Sequence, residues 1–141
     1  MHKLSLSLAL FFLLIGSITA QSEVLGRWLS AEGNAQVEIY QSGDKYFGKI
    51  VWMEEPYDED GNLKLDEENP EASLQSQTIL NSIILQDFTY KNKQWKGGTI
   101  YDPESGKTYS SKMWLDGDNT LKLRGYWGFL YRTSQWTRVV D

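Results

Sequence analysis

The side chains in this sequence that could do acid–base work are carboxylates and phenols. They are Asp102 beside Tyr101 and near Tyr109, and the carboxylates crowded between Glu54 and Glu71. Two such groups converging in a cleft can act as general acid and base. The chain has no cysteine, and its one histidine is His2, inside a stretch that reads as a removable leader. A Ser-His-Asp triad, a Cys-His nucleophile, a His- or Cys-ligated zinc and a dithiol redox pair therefore all lack essential side chains. Asp102-Pro103 is more simply the opening of a β-turn. No catalytic residue is assigned, and a protein that binds rather than catalyses is expected.

Asp58-Glu59-Asp60-Gly61-Asn62, followed by Asp66-Glu67-Glu68, offers oxygen ligands of the kind calcium takes. The spacing does not suit an EF-hand: with Gly61 in that loop's sixth position, the first would be Pro56, which has no ligating side chain. The stretch reads as a solvated acidic loop, and neither metal nor cofactor is expected. Gly106-Lys107 lacks the earlier glycine and the strand-to-helix context of a phosphate-binding loop.

Met1-His2-Lys3 precedes an apolar run from Leu8 to Ile15, then Gly16-Ser17-Ile18-Thr19-Ala20 and Gln21. This pattern predicts a secretory signal over residues 1–20, cleaved after Ala20, leaving one domain over 21–141. The run is short against the roughly 20 residues a membrane-spanning helix needs. No cysteine stands ready for lipid attachment, so a free periplasmic or secreted monomer is expected. From Gln21 onward, 13 Lys and Arg face 19 Asp and Glu, a net charge of −6. Nine of those acids lie between Glu54 and Glu71 with only Lys64 among them, so the acidity is one patch. No basic stripe suited to a nucleic-acid backbone is visible.

The elements that must position these groups are short alternating runs separated by turn chemistry. Ala35, Val37 and Ile39 alternate with polar neighbours before Ser42-Gly43-Asp44, and the return run extends from Tyr46 to Met53. Gly48 inside it marks a bulge or bend. Further runs cover Gln94 to Tyr101, Lys107 to Leu115, Thr120 to Trp127 and Arg132 to Val140, with another around Arg27 to Leu29. Thr78 to Tyr90 reads as strand on its β-branched content, with helix as the alternative. Asn69-Pro70-Glu71 suggests an N-cap and first turn of one short helix in the 54–77 loop region. The expected fold is all-β: about eight antiparallel strands closing as an up-and-down barrel.

The run Trp95-x-Gly97-Gly98-x-Ile100-Tyr101-Asp102-Pro103-x-x-Gly106-Lys107-Thr108-Tyr109 closely resembles a bacterial exported family, domain of unknown function 2147. So do Leu121-x-Leu123-Arg124-Gly125-Tyr126-x-Gly128, Arg132 to Trp136-x-Arg138, and the acidic Asn-Pro element Asp66 to Pro70. The resemblance implies a lipocalin-like barrel in the bacterial envelope and brings no biochemical activity with it. Asn81 stands where the family usually shows a glycine, and the segment between Gly128 and Trp136 is shorter than usual. Gly26-Arg27-Trp28 is similar to the Gly-x-Trp opening of lipocalins. That likeness implies barrel closure by Gly26 and Trp28 against an arginine of the last strand, Arg138, with Arg124 as the alternative.

Tyr46, Ile50, Trp52, Tyr109, Met113, Leu123 and Trp127 are the candidate lining of an internal pocket, with Arg124 or a tyrosine hydroxyl orienting a polar end of the ligand. Alternation sets Arg124 opposite to Leu121 and Leu123, so it points inward only if a bulge lies near Gly125. The expected ligand is a small amphipathic molecule such as a lipid fragment. The rival is a solid core serving as an interaction module for envelope proteins or glycans.

Overall fold

The computed structural model describes residues 20–141, so the leader expected over residues 1–20 lies outside the described residues apart from Ala20. Eight strands follow: β1 (Gly26–Leu29), β2 (Ala35–Ser42), β3 (Lys45–Met53), β4 (Ile83–Lys91), β5 (Gln94–Asp102), β6 (Lys107–Leu115), β7 (Thr120–Trp127) and β8 (Leu130–Arg138). Each pairs antiparallel with the next, and β8 returns to β1 through Trp28↔Arg138 and Leu29↔Thr137, closing the ring. Closure removes the unpaired edges that an open sheet exposes. The all-β, up-and-down barrel is the observed fold.

One face of each strand is buried, as the alternation requires. Tyr46, Gly48 and Ile50 on β3, Ser111 and Met113 on β6, Leu121 and Leu123 on β7, and Trp136 on β8 all point inward. The ring has two unlike ends. One carries the tight turns at residues 42–45, 91–94 and 115–120, the start of β1 and the end of β8. The other carries the 29–35 connection, the long 54–82 loop and the turns at 102–107 and 127–130.

Three boundaries differ from the sequence reading. β4 begins at Ile83 rather than Thr78, because residues 78–82 turn: the Ser82 N–H and hydroxyl both donate to the Ile79 carbonyl, at 3.0 and 2.6 Å. Asn81 takes a left-handed φ of 72° there, a conformation Asn tolerates better than most non-glycine residues. The expected helix is a single 3-10 turn, Ala72–Leu74, entered from Glu71 without a side-chain cap. Asn69 instead accepts the Glu71 N–H at 2.9 Å. β8 starts at Leu130, two residues before the expected Arg132, because Gly128-Phe129 forms a two-residue turn with Gly128 at φ 62°. Gly48 does mark an irregularity, a register shift in the β3–β4 pairing.

Candidate functional site

At the tight-turn end, the Trp28 indole is fully buried and donates to the Val24 carbonyl at 2.9 Å. The Arg138 guanidinium carbon lies 4.2 Å from the Trp28 ring centroid. Three of its N–H groups donate to backbone carbonyls: Leu25 at 3.0 Å, Glu23 at 2.6 Å and Asp118 at 2.8 Å. Gly26, at φ 119°, passes close beneath; a Cβ there would stand 3.4 Å from Arg138 Nη1. Gly26, Trp28 and Arg138 thus meet at one end of the ring, and the arginine ties the N-terminal segment to the last strand. Arg124, the alternative partner, is nowhere near.

Above this plug the interior is filled. Trp95, Phe88, Leu85, Ile39 and Leu121 pack there with Tyr46 and Met113. A Cβ on Gly98 would fall 2.5 Å from Phe88 Cγ and 2.6 Å from the Gln86 carbonyl oxygen, so the ring of Phe88 occupies that side chain's place. Tyr46 meets Trp95 edge-on, with centroids 6.2 Å apart. Tyr46 Oη and Trp95 Nε1 are buried with no hydrogen-bond partner. Burial raises the Tyr46 pKa, the neighbouring Trp95 N–H opposes that rise without reaching hydrogen-bond geometry, and Tyr90 adds to it. Tyr46 and Met113, expected to line a pocket, therefore belong to a packed floor.

Toward the other end the inward-facing side chains become progressively more exposed. Ile50 and Leu123 cap the floor. On the same inward-facing set, toward the mouth, come Tyr109 and Trp127 (47% exposed). Trp52, expected to line the pocket, is corrected to the outer face: a bulge in the β2–β3 pairing sets Ile50 opposite the inward Val37 but Trp52 opposite the outward Gln36. Tyr109 and Trp127 meet edge-on at 5.9 Å. Gly125 lies one inward-facing position deeper, opposite Ser111, and a Cβ there would make ordinary contacts, 3.7 Å to Tyr109 Cβ and 3.9 Å to Ile100 Cγ2. Directly opposite Gly125 on β8 is Arg132, in step with the inward-facing Trp136 and Ser134. Arg132 is exposed and, among the described residues, has no hydrogen bond or ion pair.

Arg132 is the functional candidate that sequence reasoning missed. Its signal was available: counting back by twos from the core residue Trp136 reaches it. The expected strand began at Arg132 itself, which hid the register. Arg124 is corrected to the outer wall, because the β6–β7 register runs unbroken through Lys112↔Arg124 and Ser111↔Gly125, with no bulge to turn it inward. There its guanidinium stacks over Tyr131 at 4.1 Å and Trp114 at 5.0 Å, and its Nε donates to Thr133 at 2.9 Å.

The 54–82 loop folds back over the outside of β4–β6, leaving a polar cleft of about 490 Å³ that includes Asp66, Asn69, Gln86, Thr99, Tyr101 and Thr108. This cleft lies outside the barrel wall. Asp66, only 5% exposed, accepts from Tyr101 Oη at 2.7 Å and Asn69 Nδ2 at 2.8 Å, and its own N–H donates to the Gln77 carbonyl. That arrangement fastens the loop. Burial first, then the hydrogen bond to Asp66 and the charges of Asp66 and Asp102, push the Tyr101 pKa up to about 12, with Asn69 opposing. A phenol whose pKa is higher folded than unfolded favours folding while it stays protonated. Stability should therefore fall as pH rises from about 10, where unfolded tyrosine ionises, toward 12. Tyr101→Phe should flatten that alkaline decline while lowering stability at pH 7, readable from urea melts at several pH values. An equally steep decline in the variant would refute the assignment.

Asp102 is occupied by its turn, accepting from the Glu104 N–H at 3.1 Å and the Ser105 hydroxyl at 2.8 Å. Asp58 likewise accepts the N–H groups of Asp60 and Asn62. Among the described residues no three carboxylates gather closely enough to hold a metal ion, and no helix is long and apolar enough to cross a membrane.

No curated protein matches the chain. Among solved structures it is similar to a Helicobacter pylori protein described as belonging to the lipocalin family. The TM-score is 0.64 at 25% identity, covering 76% of this chain and 73% of the other. The model of a family described as "Uncharacterized protein conserved in bacteria (DUF2147)" matches residues 26–138. From β1 to the arginine that seals the ring, this chain belongs to the DUF2147 family and carries its sequence on a lipocalin-like barrel.

Proposed function

We propose that this protein is exported and holds a small amphipathic molecule with an anionic end at the mouth of its barrel. Eight-stranded barrels of this kind have room for one small ligand. The observation that carries the reading is Arg132: an unpaired guanidinium facing the mouth, opposite a residue without a side chain, on the same inward face as Tyr109 and Trp127. A guanidinium suits a carboxylate or phosphate because its N–H fork pairs with two oxygens, while the Trp127 indole, Ile50 and Leu123 bury an apolar body. The leader-like start of the sequence supports export.

The fluorescent fatty acid cis-parinaric acid, which has a carboxylate on an apolar chain, tests this. It should bind saturably. Arg132→Gln should weaken it about tenfold or more, the usual worth of a hydrogen bond to a charged group, and leave the methyl ester unaffected. Gly125→Leu should abolish both by filling the mouth. Unchanged binding in both variants, or a protein purified from its host that is empty by native mass spectrometry and takes up no probe, would sink the proposal. The filled floor favours one rival, an interaction module without a ligand, and that second result is what the rival expects.

A further inference from the structure

The β7–β8 hairpin has a composition unlike the rest of the molecule. From Asn119 to Val140 the chain has not one acidic residue, in a protein of net charge −5; Arg124 and Arg132 lie in the half of the hairpin nearer its tip, while Lys122 and Arg138 lie toward the tight-turn end. At its two-residue tip Phe129 is 94% exposed, and Trp127, Leu130 and Tyr131 are each about half exposed. Contiguous exposed apolar groups of this kind mark a contact surface. The tip is convex, so it suits a surface soft enough to admit a wedge. The order along it is the order of depth in a bilayer interface: an apolar point, then Trp127 and Tyr131 where headgroups would lie, then arginines. Arg124 is fixed at that level by its stack on Tyr131. The acidic loop between β3 and β4 emerges four strands away around the ring, on the opposite side of the mouth.

We propose that this hairpin tip inserts into the interface of an anionic lipid bilayer. The charge of the hairpin selects the anionic surface, Phe129 supplies the wedge, and the barrel mouth, at the same end, comes to face the membrane. This goes beyond the ligand reading and does not require it.

Vesicle flotation tests it, using protein expressed from Met1 and purified in the form its host leaves. Wild type should float with phosphatidylglycerol–phosphatidylethanolamine vesicles, less with phosphatidylcholine, and less again at high salt, where exposed charges are screened. Phe129→Asp, at a site too exposed to matter for folding, should reduce flotation about tenfold or more, and Phe129→Trp should retain it. A leader left in place would bind regardless of residue 129, so the comparison between variants is the reading. Equal flotation of Phe129→Asp and wild type would overturn the proposal, as would failure of wild type to float. Also fatal would be a wild-type dimer in sedimentation velocity that Phe129→Asp dissociates without any vesicle binding, which would assign the tip to a second copy of the chain. Loss of flotation with parinarate binding intact would separate this surface from the ligand site.

Discussion

Trp28→Ala is expected to lower stability by about 3–5 kcal/mol, the range for removing a large aromatic from a core. Trp28 is fully buried and its indole N–H holds the Val24 carbonyl. Truncation would leave a cavity at the narrow end and remove the platform on which Arg138 stacks. The loss should exceed that of an average core residue, because β1 joins β8 through only two paired positions, and one of them is Trp28↔Arg138. Arg138→Lys, which keeps the charge but loses the planar fork that reaches three carbonyls, should cost less than Trp28→Ala but remain measurable. Urea unfolding followed by far-UV circular dichroism gives both numbers. A loss below about 0.5 kcal/mol for Trp28→Ala, the level of an ordinary surface change, would show that the ring closes without its plug.

Gly106→Ala should be the most damaging glycine replacement in the turns, because two penalties coincide there. The residue sits at φ 72°, a left-handed conformation that costs a residue with a Cβ about 1–2 kcal/mol. An added Cβ would also press into the backbone carbonyl of Glu68, 2.9 Å from its carbon and nearer still to its oxygen. That carbonyl cannot yield easily, because Asp66 two residues earlier is held by Tyr101, Asn69 and the Gln77 carbonyl. The loop must lift from the barrel wall or the 102–107 turn must deform. Gly117 provides the control: its φ is 78°, yet nothing lies within 4 Å of an added Cβ. Gly117→Ala should show the conformational penalty alone, and limited proteolysis of the 54–82 loop should accelerate only in Gly106→Ala. Equal effects at the two positions would mean that the loop is not docked through Glu68.

Much of this was legible in the residues. The alternation of Val37 and Ile39, of Tyr46 and Ile50, and of Leu121 and Leu123 with polar neighbours follows from sheets that bury one face. Turn dipeptides such as Asp116-Gly117 and Ser42-Gly43 bounded the hairpins. Gly26, Trp28 and Arg138 were paired through the likeness of Gly26-Arg27-Trp28 to the opening of lipocalins, which implies an arginine of the last strand against the Trp. The 54–82 loop was not legible, since what orders it is a hydrogen bond between Asp66 and Tyr101, 35 positions apart. Local propensity does not encode a partner at that distance. For the same reason Thr78–Ser82 reads as strand by composition yet turns, held by Ser82 to Ile79 and by the Asn81 N–H to the Ile50 carbonyl.

By itself, the sequence determined the strand number, the antiparallel order and the absence of cysteine chemistry, because these depend on residue type and a period of two. Tertiary structure alone decided which arginine faces the mouth. A shift of one residue in register moves a side chain to the other face of the wall, and the unbroken β6–β7–β8 pairing set Arg124 outside and Arg132 within. It also decided how deep the interior is, since the filling depends on Phe88 occupying the space beside Gly98, a contact between strands that no single stretch of chain contains.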